Sequence, residues 1–389
     1  MEEWRKYKLK DFIEFNPKEK VPQGELCRKI SMDQITPFTR FVESNIYEVY
    51  KGGAKFRNYD TIMARITPCL ENGKTAYISS LHPEEVAVGS TEYIVLRKRE
   101  NISDSKFIFY LAISPIVRDI AIKSMVGSSG RQRVQQDVLE NYEIPIPSLP
   151  TQKNIAHILS VLDDKIELNK RINDNLEQQA QTLFNYYFID TPELLGEFSV
   201  GSLADAANYV NGLAMQKYRP INGEKGLPVL KIKELGQGRI DSSSDFCSNE
   251  IDSYYKVYDG DVIFSWSGTL MVKIWCGGKC GLNQHLFKVS SKTTPKWFYY
   301  FWTKHHLDNF IRIAKDKAVT MGHIKRGELE KAEVLFPNNS VMKKLDTLMA
   351  PFLDQIIEKE CEIRKLALLR DTLLPKLISG ELAINDINN

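Results

Sequence analysis

The chain repeats itself, and that constrains its fold more than any other feature. Shifted by 190 positions, Phe107-Ile108-Phe109-Tyr110-Leu111 falls on Trp297-Phe298-Tyr299-Tyr300-Phe301, Val134 on Ile324, Leu139 on Leu329 and Pro147 on Pro337, with no gap. The correspondence continues through Lys153 and Lys343, Ile155 and Leu345, Ile166 and Ile356, Leu176 and Leu366, and Leu183 and Leu373. Towards the amino end the offset drifts, with Gly89 on Gly281, Asp60 on Asp261 and Leu9 on Leu203, as expected where loops change length around a kept framework. A fixed internal period means one structural plan used twice.

Each copy ends in a heptad seam. Positions 155, 159, 162, 166, 169, 173, 176, 180, 183 and 187 alternate in steps of four and three and read Ile, Leu, Leu, Ile, Asn, Asn, Leu, Ala, Leu, Tyr. The second copy gives Leu345, Met349, Phe352, Ile356, Lys359, Ile363, Leu366, Arg370, Leu373 and Leu377. Such a pattern predicts a helix of roughly 35 residues, about 50 Å long at 1.5 Å per residue, and two of them in one chain most simply pack on each other. The expected seam contacts are Ile155, Leu159, Leu162, Ile166, Leu176 and Leu183 against Leu345, Phe352, Ile356, Ile363, Leu366 and Leu373. Asn169, Asn173, Lys359 and Arg370 fall on the seam as polar residues that fix register or face a second partner.

Ahead of each seam the pattern changes. Thr91 to Leu96, Asp261 to Phe264 and His285 to Val289 are short, β-branched or aromatic, and bounded by turn formers, which predicts strands. Residues near 107–124 and 297–314 have helical periodicity. The expected fold is therefore α+β: a globular domain at 1–147, a long helix at 148–192, a second domain at 193–337, a second long helix at 338–384 and a tail at 385–389, the helices packing on each other. A net charge of +2 excludes a tail-driven polyanion binder, but the charge is unevenly placed: +2 and +4 over 1–147 and 197–337, against −3 and −1 over 148–196 and 338–389.

Other classes fall away. Met1 to Lys6 has no apolar run and Phe107 to Val117 is broken by Ser114 and Pro115, so neither secretion nor a membrane span is expected. Six cysteines in 389 residues fit a reducing cytoplasm rather than a disulfide scaffold. There is no Gly-x-x-x-x-Gly-Lys-Ser/Thr loop for ATP, and the single Asn-Pro, Asn16-Pro17, lacks the following proline and aromatic of an adenine methyltransferase. No Pro-Asp lead-in to a nuclease carboxylate site occurs. The expectation is a binding protein without catalysis.

Ile144-Pro145-Ile146-Pro147, Gln152, and Leu159-Ser160-Val161-Leu162-Asp163-Asp164-Lys165-Ile166-Glu167-Leu168-Asn169 resemble the specificity subunits of Type I restriction-modification systems. So do the segment Tyr59 to Lys74, its counterparts Gly260-Asp261-Val262-Ile263 and Asn283-Gln284-His285, and the close Leu373 to Leu382. The resemblance covers essentially the whole chain. It implies two target-recognition domains, each reading one half of a bipartite asymmetric double-stranded DNA target. It also implies that the two helices form an antiparallel coiled coil, a spacer that sets the gap and docks two modification subunits, with restriction subunits in the full complex. S-adenosylmethionine, and ATP with Mg2+, would be carried by those partners and no cofactor by this chain.

For DNA contact the first copy offers Lys123 with Gly127, Ser128, Ser129, Gly130, Arg131, Gln132 and Arg133: glycines admit close backbone approach, and Arg and Gln match guanine and adenine edges. The second copy offers Lys315, Lys317, Thr320, His323, Lys325 and Arg326, with Gly322 as the turn. A further set follows the Asp60 and Asp261 strands: Thr67, Asn72 and Lys74, then Ser265, Trp266, Ser267 and Lys273. Asp60 and Asp261 read as turn formers. Phe107 to Leu111 and Trp297 to Trp302 read as core, and Cys276, Cys280 and His285 have an awkward spacing for zinc. The alternatives are a non-DNA-binding adaptor with two domains and a coiled coil, or a divergent enzyme; the first predicts no DNA binding and the second activity from the isolated chain.

Overall fold

In the computed structural model, residues 4–128, 130–221, 223–316 and 323–383 are described. The chain divides into two units, 1–167 with 366–389, and 168–365. The division cuts both long helices, so each unit contains one α+β domain, the first part of its own helix and the last part of the other.

The first unit carries an antiparallel sheet of Ile13–Phe15, Tyr93–Lys98, Thr61–Ala64 and Thr75–Tyr77, in that order. A second sheet runs Tyr47–Val49, Leu26–Ile30, Ala87–Gly89, Ala54–Phe56, with one parallel pair, Lys29 opposite Val88. Arg5–Lys8 pairs with Glu143–Ile146 and closes the domain.

The second unit repeats this plan. Asn208–Asn211, Leu286–Ser290, Asp261–Ser265 and Met271–Trp275 form its antiparallel sheet. Phe246–Cys247, Leu227–Leu230, Cys280–Leu282 and Lys256–Val257 form the mixed one, again with a single parallel pair, and Phe198–Ser202 pairs with Glu333–Pro337. Strand pairing also refines the offset. Phe56 opposite Ala87 corresponds to Val257 opposite Cys280, which puts Gly89 at the place of Leu282, one residue beyond Gly281.

The aromatic stretches are core. Each forms two short helices, Ser105–Ile113 with Pro115–Lys123, and Lys296–His305 with Leu307–Asp316. Asp104 caps the first by accepting from the Phe107 amide at 2.9 Å, and Pro115 starts the next, where its missing N–H costs nothing. Phe107 to Leu111 and Trp297 to Trp302 are buried throughout. Asp60 and Asp261 shape turns, accepting from the amides of Arg57 at 2.8 Å and Tyr258 at 2.9 Å; Asp60 also holds Arg97 through two 2.7 Å bonds.

The long helices are Leu149–Asn185 and Asn339–Ser379, 37 and 41 residues. Within each unit their segments run antiparallel. In the first, Ile155 and Leu159 share a core with Leu374, Leu377 and Ile378. In the second, Ala180 and Phe184 share one with Leu345, Met349 and Leu353. The expected seam needs correcting in detail: Ile155, Leu159, Ile166, Leu345 and Ile356 are buried, while Leu162, Leu176, Leu183, Phe352, Ile363, Leu366 and Leu373 are only half-buried. Near the ends the contact moves one place on, to Phe184, Phe188, Leu353 and Leu374, because a straight helix drifts against a seven-residue repeat and because the domain, not only the other helix, covers it. The polar seam residues are mostly satisfied. Arg370 meets Asp163 at 2.6 Å, the Asn173 amide donates to Glu360 at 2.9 Å, and Lys359 pairs with Glu362 at 3.1 Å. Asn169 is fully buried, and its side chain has no hydrogen-bond partner among the described residues.

Candidate nucleic-acid interface

In the first unit the buried strand Thr61–Ala64 runs straight into Arg65, Ile66 and Thr67. Beyond the helix that ends at Lys123, the chain folds back on itself: Val126 and Arg133 exchange backbone hydrogen bonds of 3.1 and 2.9 Å, closing the loop between them. Gly127 has a φ of +135°, and a Cβ there would lie 3.0 Å from the Arg131 carbonyl oxygen, so this turn demands glycine. Arg133 bridges Ile66 as well, Thr67 donates to the Gln132 carbonyl, and the Val134 amide to that of Arg65 at 2.8 Å. The strand exit and a loop distant from it in sequence are thereby joined at one sheet end.

The second unit builds the same junction. Ser267 bridges His323, and the Ile324 amide donates to the Trp266 carbonyl at 3.1 Å, the counterpart of the bond from Val134 to Arg65. The strand-following set and the basic-loop set, which the sequence presents separately, therefore meet in both units.

Individual side chains divide sharply. Lys123, Ser128 and Arg131 are exposed, and neither Lys123 nor Arg131 forms an ion pair among the described residues; Gly130 is at the exposed tip and Gln132 is half-buried. Lys315, Lys325, Arg326 and His323 are exposed. Asn72 is exposed on the loop after Pro68, to whose carbonyl its amide donates. Ser129, Lys317, Thr320 and Gly322 lie outside the described residues.

Five of the expected contacts have side chains engaged within the chain. Ser265 and Ser267 are buried, the Ser265 hydroxyl donating to the Ser267 carbonyl, because they sit at the inner end of the strand and shape its exit. Thr67 spends its hydroxyl on the Gln132 carbonyl at 3.1 Å, and Lys74 its ammonium on the Met32 carbonyl at 2.6 Å. Lys273 donates to the Gly236 carbonyl at 2.8 Å; burial lowers its pKa, with the Glu360 and Glu177 carboxylates of the helices opposing. It pairs with Ile263, two places along the sheet from Ser265 and Met271 at the junction end.

The electrostatics of the two junctions differ. Arg133 is held by Glu92, with contacts of 2.6 to 3.0 Å, and that hydrogen bonding, outweighing burial and joined by the Arg133 and Arg65 charges, holds the Glu92 carboxyl below its ordinary range. In the second unit Trp266 sits 6.3 Å from His285 and 6.2 Å from His323 between ring centroids, its indole N–H donating to Asn211 at 3.0 Å. Arg65, Glu92 and His285 are missing from the sequence-based candidates. The drift of the offset would have pointed to them, since carrying the Asp60 to Asp261 shift forward puts Arg65 on Trp266.

Cys276 and Cys280 are buried, and no group of three His, Cys, Asp or Glu among the described residues is placed to hold a metal. No described helix is long and apolar enough to cross a membrane.

The family model of the Type I restriction modification DNA specificity domain matches residues 1–178 and again 196–369. The chain is 27% identical over 306 residues to the Type I restriction enzyme MjaIX specificity subunit of Methanocaldococcus jannaschii, covering 73% of this chain and 70% of that protein. It is 33% identical over 212 residues to the EcoAI specificity subunit of Escherichia coli, covering 53% of this chain and a third of that one. A crystal structure of the Type I restriction-modification system S subunit from M. genitalium superposes with a TM-score of 0.54 at 15% identity, covering 97% of this chain and 96% of that one, a likeness of fold. With both copies matched by the same domain model, the chain belongs to the family of Type I restriction modification DNA specificity domain proteins.

Proposed function

We propose that this chain is the DNA sequence-specificity subunit of a Type I restriction-modification complex, non-catalytic itself, acting in the cytoplasm. Each unit reads one half of a bipartite target, and the helices set the gap and dock two modification subunits that carry S-adenosylmethionine. Restriction subunits add ATP with Mg2+. The observation that carries this reading is the recurrence, in both units, of one junction where a core strand and a basic loop are bridged. Lys123, Arg131, Lys315, Lys325 and Arg326 supply exposed cations for phosphate, which makes affinity salt-dependent, and the loop tips reach base edges.

The test is methylation mapping with the modification subunit present. Two short motifs separated by unspecified bases are expected. Inserting one heptad into each helix should lengthen the gap by about three base pairs, since seven residues add about 10 Å along a helix and a base pair about 3.4 Å. A contiguous modified motif, or no modification, contradicts the reading; an unchanged gap removes the ruler.

A further inference from the structure

The two junctions share one frame and differ in chemistry at three matched positions. Arg65 and Trp266 each follow the core strand and accept, at the backbone carbonyl, from Val134 and Ile324. Arg133 and His323 each form the bridge from the returning loop. Glu92 and His285 each precede the neighbouring strand, and their amides donate alike to the side chain two residues back, Ser90 at 3.1 Å and Asn283 at 3.3 Å. Ile62, Met63 and Val134 are matched by Ile263, Phe264 and Ile324, while Ala64, Ile66 and Val95 give way to Ser265, Ser267 and Lys288. Within this frame the three positions read Arg, Glu, Arg in one unit and Trp, His, His in the other.

We infer that these three positions are the specificity-determining triplet of each unit, the first fitted to a guanine edge and the second to the methyl-bearing face of an A·T pair. This rests on the DNA-reading proposal above. In the first triplet Arg133 is partly exposed and its guanidinium is braced by Glu92, an arrangement that aims a planar donor pair instead of leaving a mobile charge. Guanine presents two acceptors in the major groove, O6 and N7, which a guanidinium meets bidentately. Arg65, half-buried beside it, has a buried Nε with no hydrogen-bond partner among the described residues, and its charge adds to the pull on Glu92. In the second triplet an indole flanked by two imidazoles offers ring faces and edges and no guanidinium, which suits apolar contact with a thymine methyl. Glu92 is a positioning residue, acting through Arg133.

The test selects from a duplex library of randomised sequence with the full chain assembled with its modification subunits, and sequences what is bound. Arg133→Ala should lose preference for guanine at one position of one half-site by roughly 5- to 150-fold, with the other half unchanged as the folding control within the same molecule. Glu92→Ala should blur the same position, and Glu92→Gln, which keeps an acceptor, should restore much of it. His323→Ala should alter the other half alone. A uniform loss across all positions, marking a phosphate or merely structural role, or an unchanged profile overturns the assignment. A wild-type complex with no sequence preference overturns the DNA-reading proposal, and this assignment with it.

Discussion

Arg370→Ala is expected to destabilise the first unit by about 3–5 kcal/mol, because it strands a buried carboxylate. Asp163 and Arg370 are 4% and 5% exposed and meet at 2.6 Å. Tyr110 donates to the other Asp163 oxygen at 2.6 Å, and Arg40 reaches the Tyr110 hydroxyl at 3.3 Å while bonding Asp164. A domain aromatic, one helix and the other helix are thus tied at a single point. With the guanidinium gone, Asp163 keeps the Tyr110 hydroxyl and the nearby charge of Arg40, which is shared with Asp164, too little to offset its lost hydration. Urea unfolding followed by segment-resolved hydrogen exchange should show 155–163 and 370–378 losing protection together. Replacing both partners at once, Asp163→Leu with Arg370→Met, should recover most of the loss, since an apolar pair carries no stranded charge. If Arg370→Ala costs under about 1 kcal/mol, on the scale of an exposed pair, the buried tie is not as described.

Phe184→Ala is expected to cost the second unit a similar amount, about 3–5 kcal/mol. Phe184 is fully buried, stacked on Phe188 and Phe301 with centroids at 5.1 and 5.6 Å and edge-on to Trp302 at 5.2 Å. By sequence it belongs to the first copy, yet it fills the core of the second domain. The cost combines lost transfer energy with a cavity that rigid aromatic neighbours cannot close. Hydrogen exchange should register the change in 297–302, with strands 61–64 and 93–98 unaffected. Equal loss in both sets would contradict the division into units.

Much of this fold is legible in the sequence because a duplication reveals itself and because a heptad repeat has a period that loops lack. The gapless 190 offset from 107 onwards places both aromatic helices and both long helices correctly. What stays hidden is how the segments meet. Nothing at Ile66 or Ser267 announces a bridge to Arg133 or His323, since such pairing is set by tertiary packing and not by local propensity. For the same reason Ser265 and Ser267 read as contacts when they are buried, and Lys74 reads as free when a carbonyl 42 residues away holds it. Glu92 and His285 stay hidden differently: each sits at the foot of a strand where an acid or a histidine is unremarkable until the two copies are overlaid by strand pairing.

Whether two independent readers share one chain is decided by a domain exchange. Residues 1–147 are replaced by the corresponding domain of another family member, and methylated sites are mapped with the modification subunit present. One half of the target is expected to change while the other half and the gap between them stay the same. Change in both halves, or in neither, would contradict it.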